Sequence, residues 1–257
     1  PSMARDFDGV NDLLRVGAAV VTTTPFTMAC WFYPRNITGN HGLMGIETVG
    51  SNNNLHLLSA AGAVAGDPIR AWSRTSSSVS ASTTTGFSAN VWQHACGVWA
   101  SATDRRVFLN GGSKGTNATN RNPSRMKRTQ IAKDQSGTEE MSGLIAEACI
   151  WNVALTDAEV LLLANGVHPW RIRASAIAAG GYWPLYGTQT AEADFSGRGN
   201  HLTVTEAIRG DHPPKIEIWS LPRRVQRIFA VPETITQDKW GQPLQQPYPD
   251  KFSVVAY

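Results

Sequence analysis

Few side chains in this 257-residue sequence are spaced to do chemistry, and the carboxylates come first. Glycoside cleavage needs two carboxylic groups at a fixed separation, which on a strand means positions two residues apart, where side chains share a face. Glu147 stands alone in the strand-like run Leu144-Ile145-Ala146-Glu147-Ala148-Cys149-Ile150-Trp151. Glu139 and Glu140 are adjacent, so a strand would turn them to opposite faces. His94 has no serine or cysteine in a nucleophile motif beside it, and is expected to be a strand histidine satisfied by the backbone. Gly111-Gly112-Ser113-Lys114-Gly115 lacks the spacing and the following helix of a phosphate loop and reads as a hairpin. Cys30, Cys96 and Cys149 form no CxxC pair, and their odd number speaks against a disulfide framework and a zinc site. These patterns predict a protein that is not an enzyme, with no catalytic residues and three buried free thiols.

The composition is globular but poor in charge, at 42% hydrophobic and 17% charged, and a net charge of +3 is too small to imply nucleic acid. Eight Lys or Arg against two Asp lie between Asp104 and Asp134, a local excess expected to be a solvated loop, with docking onto an acidic surface as the alternative. Residues 1–12 carry no apolar run, and no stretch approaches the roughly 18 apolar residues of a membrane span. Synthesis in a reducing cytosol, with no membrane partner, is the expectation from these features.

The elements that must position any site are short strands. Apolar and β-branched runs at 12–16, 26–33, 43–47, 55–59, 69–73, 92–99 and 105–109 are separated by turn signals, the last ending at Asn110-Gly111. This even spacing favours an antiparallel sandwich over βαβ units. One helix is expected at 155–165: Thr156 is its N-cap, Glu159 completes a capping box, and Leu155 and Val160 hold the staple positions. Leu161, Leu162 and Leu163 supply its apolar bulk and Asn165-Gly166 its stop. Trp72, Trp92, Trp99, Trp151 and Trp183 all fall in strands, where core packing is the usual fate of tryptophan.

Four stretches in this order resemble a known family. Phe7-Asp8-Gly9 with Asp12, and then Phe26-Thr27-Met28-Ala29-Cys30-Trp31-Phe32-Tyr33-Pro34, are similar to the opening of concanavalin A-like domains of the laminin-G and pentraxin type. Trp92-Gln93-His94-Ala95-Cys96-Gly97-Val98-Trp99 resembles their central strand, and residues 143–155 their closing strand and exit. Asp194-Phe195-Ser196-Gly197-Arg198-Gly199-Asn200 is similar to an accompanying turn. The resemblance implies an all-β, two-sheet antiparallel jelly roll over residues 4–185, with one short helix outside the sheets. Family members often bind calcium or glycans. Asp8, Asp12 and Glu147 are the weak candidates for a calcium site here, against turn-capping by Asp8 and Asp12, so no cofactor is expected.

Residues 206–257 hold seven of the fourteen prolines and read as an extended C-terminal arm after a domain at 1–205. Its aromatic and basic residues Trp219, Arg223, Arg224, Arg227, Phe229, Trp240 and Tyr257 would anchor it to a neighbouring subunit. Similar domains with such a trailing segment occur in tailed-bacteriophage virion proteins. The resemblance therefore implies a capsid decoration protein, made in the host cytoplasm, sited in the virion and bound to copies of itself and to capsid proteins. A carbohydrate-binding module, for instance on a tail fibre and possibly calcium-dependent, is the alternative.

Overall fold

A computed structural model describes residues 3–50, 54–134, 137, 139–187 and 190–214. In chain order its strands are β1 (Met3–Asp8), β2 (Leu13–Val16), β3 (Phe26–Pro34), β4 (Asn40–Glu47), β5 (Leu55–Ala61), β6 (Pro68–Arg74), β7 (Ser78–Gly86), β8 (Gln93–Ser101), β9 (Asp104–Leu109), β10 (Gly112–Asn117), β11 (Arg128–Ile131) and β12 (Ser142–Trp151). Helices α1 (Asp157–Ala164) and α2 (Ala174–Ile177) follow, with one 3-10 turn between them, and then β13 (Gly181–Trp183), β14 (Ala191–Glu192), β15 (Leu202–Thr205) and β16 (Ile208–Asp211). The first sheet runs β10-β9-β8-β3-β12-β1-β16, with β13 also paired to β12, and the second runs β14-β15-β2-β11-β4-β5-β6-β7. Every pairing is antiparallel, so the architecture is the expected two-sheet sandwich.

Period-two alternation builds the core between the sheets. Phe26, Met28, Cys30 and Phe32 of β3 face inward beside Trp99, Ile145 and Ile150 of the same sheet, opposite Ile46, Leu58 and Ala71 of the other. The other face of the first sheet is also covered. Ala29, Cys96, Val98, Phe108, Cys149 and Trp151 pack there beneath Leu155, Val160, Leu163 and Ile177. This second layer explains why β3, β8 and β12 are apolar on both faces. All three cysteines are free and buried, Cys30 in the inter-sheet core and the other two under the helices.

Helix α1 starts as its sequence dictates: the Thr156 hydroxyl accepts from the Glu159 amide, and Glu159 accepts from the Thr156 amide. The staple residues Leu155 and Val160 are buried, but only Leu163 of the expected leucine bulk is, since Leu161 and Leu162 face outward. The hairpin at Asn110-Gly111 forms with both residues at positive φ, 51° and 72°, the geometry that Asn and Gly accept at least cost.

Several expectations are corrected. The sheets continue beyond residue 185: β15 pairs with β2 and β16 with β1, so the break drawn after residue 205 falls between two strands of the sandwich. The basic stretch 104–134 is not a bare loop, since it contains β9, β10 and β11 and half of its cations are ion-paired. Arg106 pairs with Asp104, Lys114 with Asp157, Arg128 with Glu47 and Lys133 with Glu140. Arg105 is wholly buried and donates to Ser73 Oγ, Asn117 Oδ1 and the carbonyls of Thr119, Ala102 and Arg121. The His94 ring is buried with Nδ1 lacking a partner among the described residues, so the backbone does not satisfy it. No helix among the described residues is long and apolar enough to cross a membrane.

Candidate functional site

The outer face of the second sheet carries the densest unspent polar chemistry. On β6, Arg70, Trp72 and Arg74 alternate with Ile69, Ala71 and Ser73. Ile69 and Ala71 belong to the inter-sheet core, and Ser73 accepts from the buried Trp99 and Arg105. The three large side chains therefore share the outward face. Their neighbours by register are Ser59, Leu57 and Leu55 on β5 and Ser82, Ser80 and Ser78 on β7. The Arg70 guanidinium lies 3.9 Å from the centroid of the Trp72 ring, a cation–π stack, and donates through Nε and Nη2 to Ser80 Oγ at 3.1 and 2.8 Å.

The chain between β11 and β12 crosses this face at one end. Gly42 of β4 makes the crossing possible, because a Cβ there would stand 2.8 Å from the Glu139 carbonyl oxygen. The Gly42 amide instead donates to that oxygen at 2.9 Å. Glu139 is thereby set beside the strip, its amide donating to Asp134 Oδ1 and its Oε1 accepting from Asn40 Nδ2 at 3.3 Å. Burial, reinforced by the charge of Asp134, raises its carboxyl to about 7, against the opposing pull of Arg70 and Arg74. Farther along, Glu47 accepts from Arg128 and Gln130, and burial lifts its carboxyl to about 7 as well.

Three buried polar atoms on this strip have no partner among the described residues: Ser59 Oγ, Trp72 Nε1 and Glu139 Oε2. A buried polar atom left unpaired costs about 1–3 kcal/mol, so each of the three gains from a partner such as a water molecule or a hydroxyl. Ser59 is wholly buried, which leaves a donor (Trp72 Nε1), a carboxyl (Glu139) and the flat Arg70–Trp72 stack at the face.

The residues proposed from sequence fall elsewhere. Asp8 Oδ1 accepts from the amides of Val10 and Asn11, while Asp12 Oδ2 accepts from the Asp8 amide at 2.9 Å, so both cap the turn after β1. Burial raises the Asp12 carboxyl. Glu147 sits at a bulge in β12 with φ at 53°. Its carboxylate accepts from the Tyr182 hydroxyl and lies 3.0 Å from His212 Nε2. The three acids thus occupy two separate hydrogen-bonding arrangements, and no group of three metal-ligating side chains forms among the described residues. Trp219, Arg223, Arg224, Arg227, Phe229, Trp240 and Tyr257 lie outside the described residues. Trp99, Trp151 and Trp183 are fully buried as expected, but Trp72 and Trp92 are only half-buried.

Residues 8–161 match a model of the concanavalin A-like lectin/glucanases superfamily. No curated protein sequence matches the chain. Among solved structures, a heptameric SAP-like pentraxin from Limulus polyphemus aligns with a TM-score of 0.60 at 18% identity, over 82% of this chain and 96% of its own. A Bacteroides ovatus protein described as carbohydrate-binding aligns with a TM-score of 0.61 at 18% identity, over 83% of this chain and 61% of its own. Domain 4 of an extracellular arabinanase from Geobacillus stearothermophilus, solved with arabinotriose, aligns with a TM-score of 0.53 at 20% identity, over 63% of this chain and 76% of its own. At these identities the likeness is one of fold.

Proposed function

The chain belongs to the concanavalin A-like lectin/glucanases superfamily, and on that premise we propose that it is a carbohydrate-binding module whose binding face is the outer surface of β4, β5, β6 and β7. The observation that carries this reading is the half-buried Arg70–Trp72 stack, flanked by the unpartnered Trp72 Nε1 and Glu139 Oε2. Sugar rings present hydroxyl groups that both donate and accept, which such a mixed set satisfies. Two proteins sharing this fold support the reading, one described as carbohydrate-binding and the other an arabinanase domain solved with arabinotriose. The capsid-decoration reading draws on residues 206–257, most of which lie outside the described residues, so the glycan reading is the one that the described geometry favours.

The face binds without cutting. Glu147, the lone carboxylate of its strand, has both oxygens engaged by Tyr182 and His212. Glu139 and Glu140 lie between strands, with Glu140 spent on Lys133. The test is a glycan array probed with the full chain and with Trp72→Ala. The native protein should retain a defined set of oligosaccharides, and the variant, folded by circular dichroism, should lose them. Equal retention by the variant, or no retention by either, refutes the assignment.

A further inference from the structure

Arg70 and Arg74 differ from Arg128 and Lys133 in having no carboxylate at ion-pair distance among the described residues. Arg128 is spent on Glu47 and Lys133 on Glu140. Arg70 donates only to the neutral Ser80 hydroxyl, and Arg74 has no hydrogen-bond or ion-pair partner among the described residues. Glu139 senses both, and its Oε2 has no partner among the described residues. Arg70 and Arg74 are four residues apart on β6, about 13 Å from each other at the backbone, but the Arg70 head lies over Trp72 and on Ser80, the register partner of Trp72, which draws it towards Arg74. Trp72 stands between them with its Nε1–H unspent.

A half-buried guanidinium has lost part of its hydration, and a planar carboxylate is the acceptor that its fork of donors fits in two parallel bonds. The stack on Trp72 fixes the Arg70 plane before any ligand arrives, which lowers the ordering cost of binding. From this geometry we infer that the face recognises an acidic sugar, gripping its carboxylate directly with Arg70 and Arg74 while Trp72 and Glu139 meet the ring hydroxyls. The inference rests on the carbohydrate reading of the same face and narrows it to uronate- or sialate-containing glycans, read without a bridging metal ion.

Calorimetric titration of the full chain tests it with three matched ligand sets: uronate- and sialate-bearing oligosaccharides, their carboxyl methyl esters, and oligosaccharides whose only charge is a sulfate ester. At least one carboxylate ligand should bind, its methyl ester should bind at least tenfold more weakly, and Arg70→Gln and Arg74→Gln should each lose at least tenfold. Added chelator should leave the affinity unchanged. The methyl-ester comparison uses the native protein alone, so it stands even where a variant misfolds. Equal affinity for acid and ester, binding confined to sulfate esters, or loss of binding with chelator overturns the inference while leaving a carbohydrate-binding protein. Binding of no sugar in the three sets or on the array overturns both.

Discussion

Replacing Glu139 by Gln should change how the stability of the protein depends on pH. The carboxyl is raised from 4.5 to about 7 because burial and Asp134 outweigh the pull of Arg70 and Arg74. Between those two values the folded protein holds a proton that the unfolded chain has released, so the stability from this group is complete below about pH 4.5 and is lost as pH rises through 7. Integrating that linkage from pH 5 to pH 8 gives a loss of roughly 2–3 kcal/mol in the native protein, which Gln, carrying no ionisable proton, does not suffer. Urea unfolding followed by tryptophan fluorescence reads the difference. With a slope of about 2–3 kcal/mol per molar urea, the variant's midpoint should gain roughly 1 M on the native protein between the two pH values. A variant whose midpoint tracks the native one across this range refutes the burial of the Glu139 carboxyl at the edge of the face.

Three further outcomes follow from the interior. Arg105→Met removes the donor for three backbone carbonyls and Asn117 Oδ1, and should cost about 3–5 kcal/mol in chemical denaturation; a change below 1 kcal/mol contradicts the account. His56, buried against Ser73 and near the charge of Arg105, is depressed to about 3. Its neutral form contributes stability above about pH 6.5 that is lost as pH falls towards 3, so His56→Asn should flatten the acid limb by about 2 kcal/mol at pH 5. Thiol titration should find little reactivity in the native protein and three equivalents after denaturation, since burial raises the thiol pKa of Cys30, Cys96 and Cys149.

The sandwich was legible because strand alternation and turn residues are local. The run 26–33 gave β3, Asn110-Gly111 gave the hairpin, and Thr156 with Glu159 gave the start of α1. Polar strands were not legible. The Ser- and Thr-rich sequence of β7 has the strand period without the apolar face, and β14, β15 and β16 are held by pairing with distant strands rather than by their own composition. The proposed binding face was missed for a different reason. A tryptophan in a strand is usually core, and only the parity of β6 shows that Trp72 is not: Ile69 and Ala71 fix the inward face, which places Arg70, Trp72 and Arg74 together on the other. Glu139 had no signal in one dimension, because its place depends on Gly42 letting the chain cross β4. The fate of Glu147 depended equally on Tyr182 and His212, far away in sequence.

The most direct test of the binding face is a crystal structure of the full chain with the tightest oligosaccharide found on the array. A sugar ring should lie over β5 and β6, with Trp72 Nε1 within about 3.2 Å of a ring hydroxyl and the Arg70–Trp72 stack retained. An oligosaccharide bound on the helix-covered sheet or at a loop end of the sandwich, with Trp72 Nε1 still unpartnered, would contradict it.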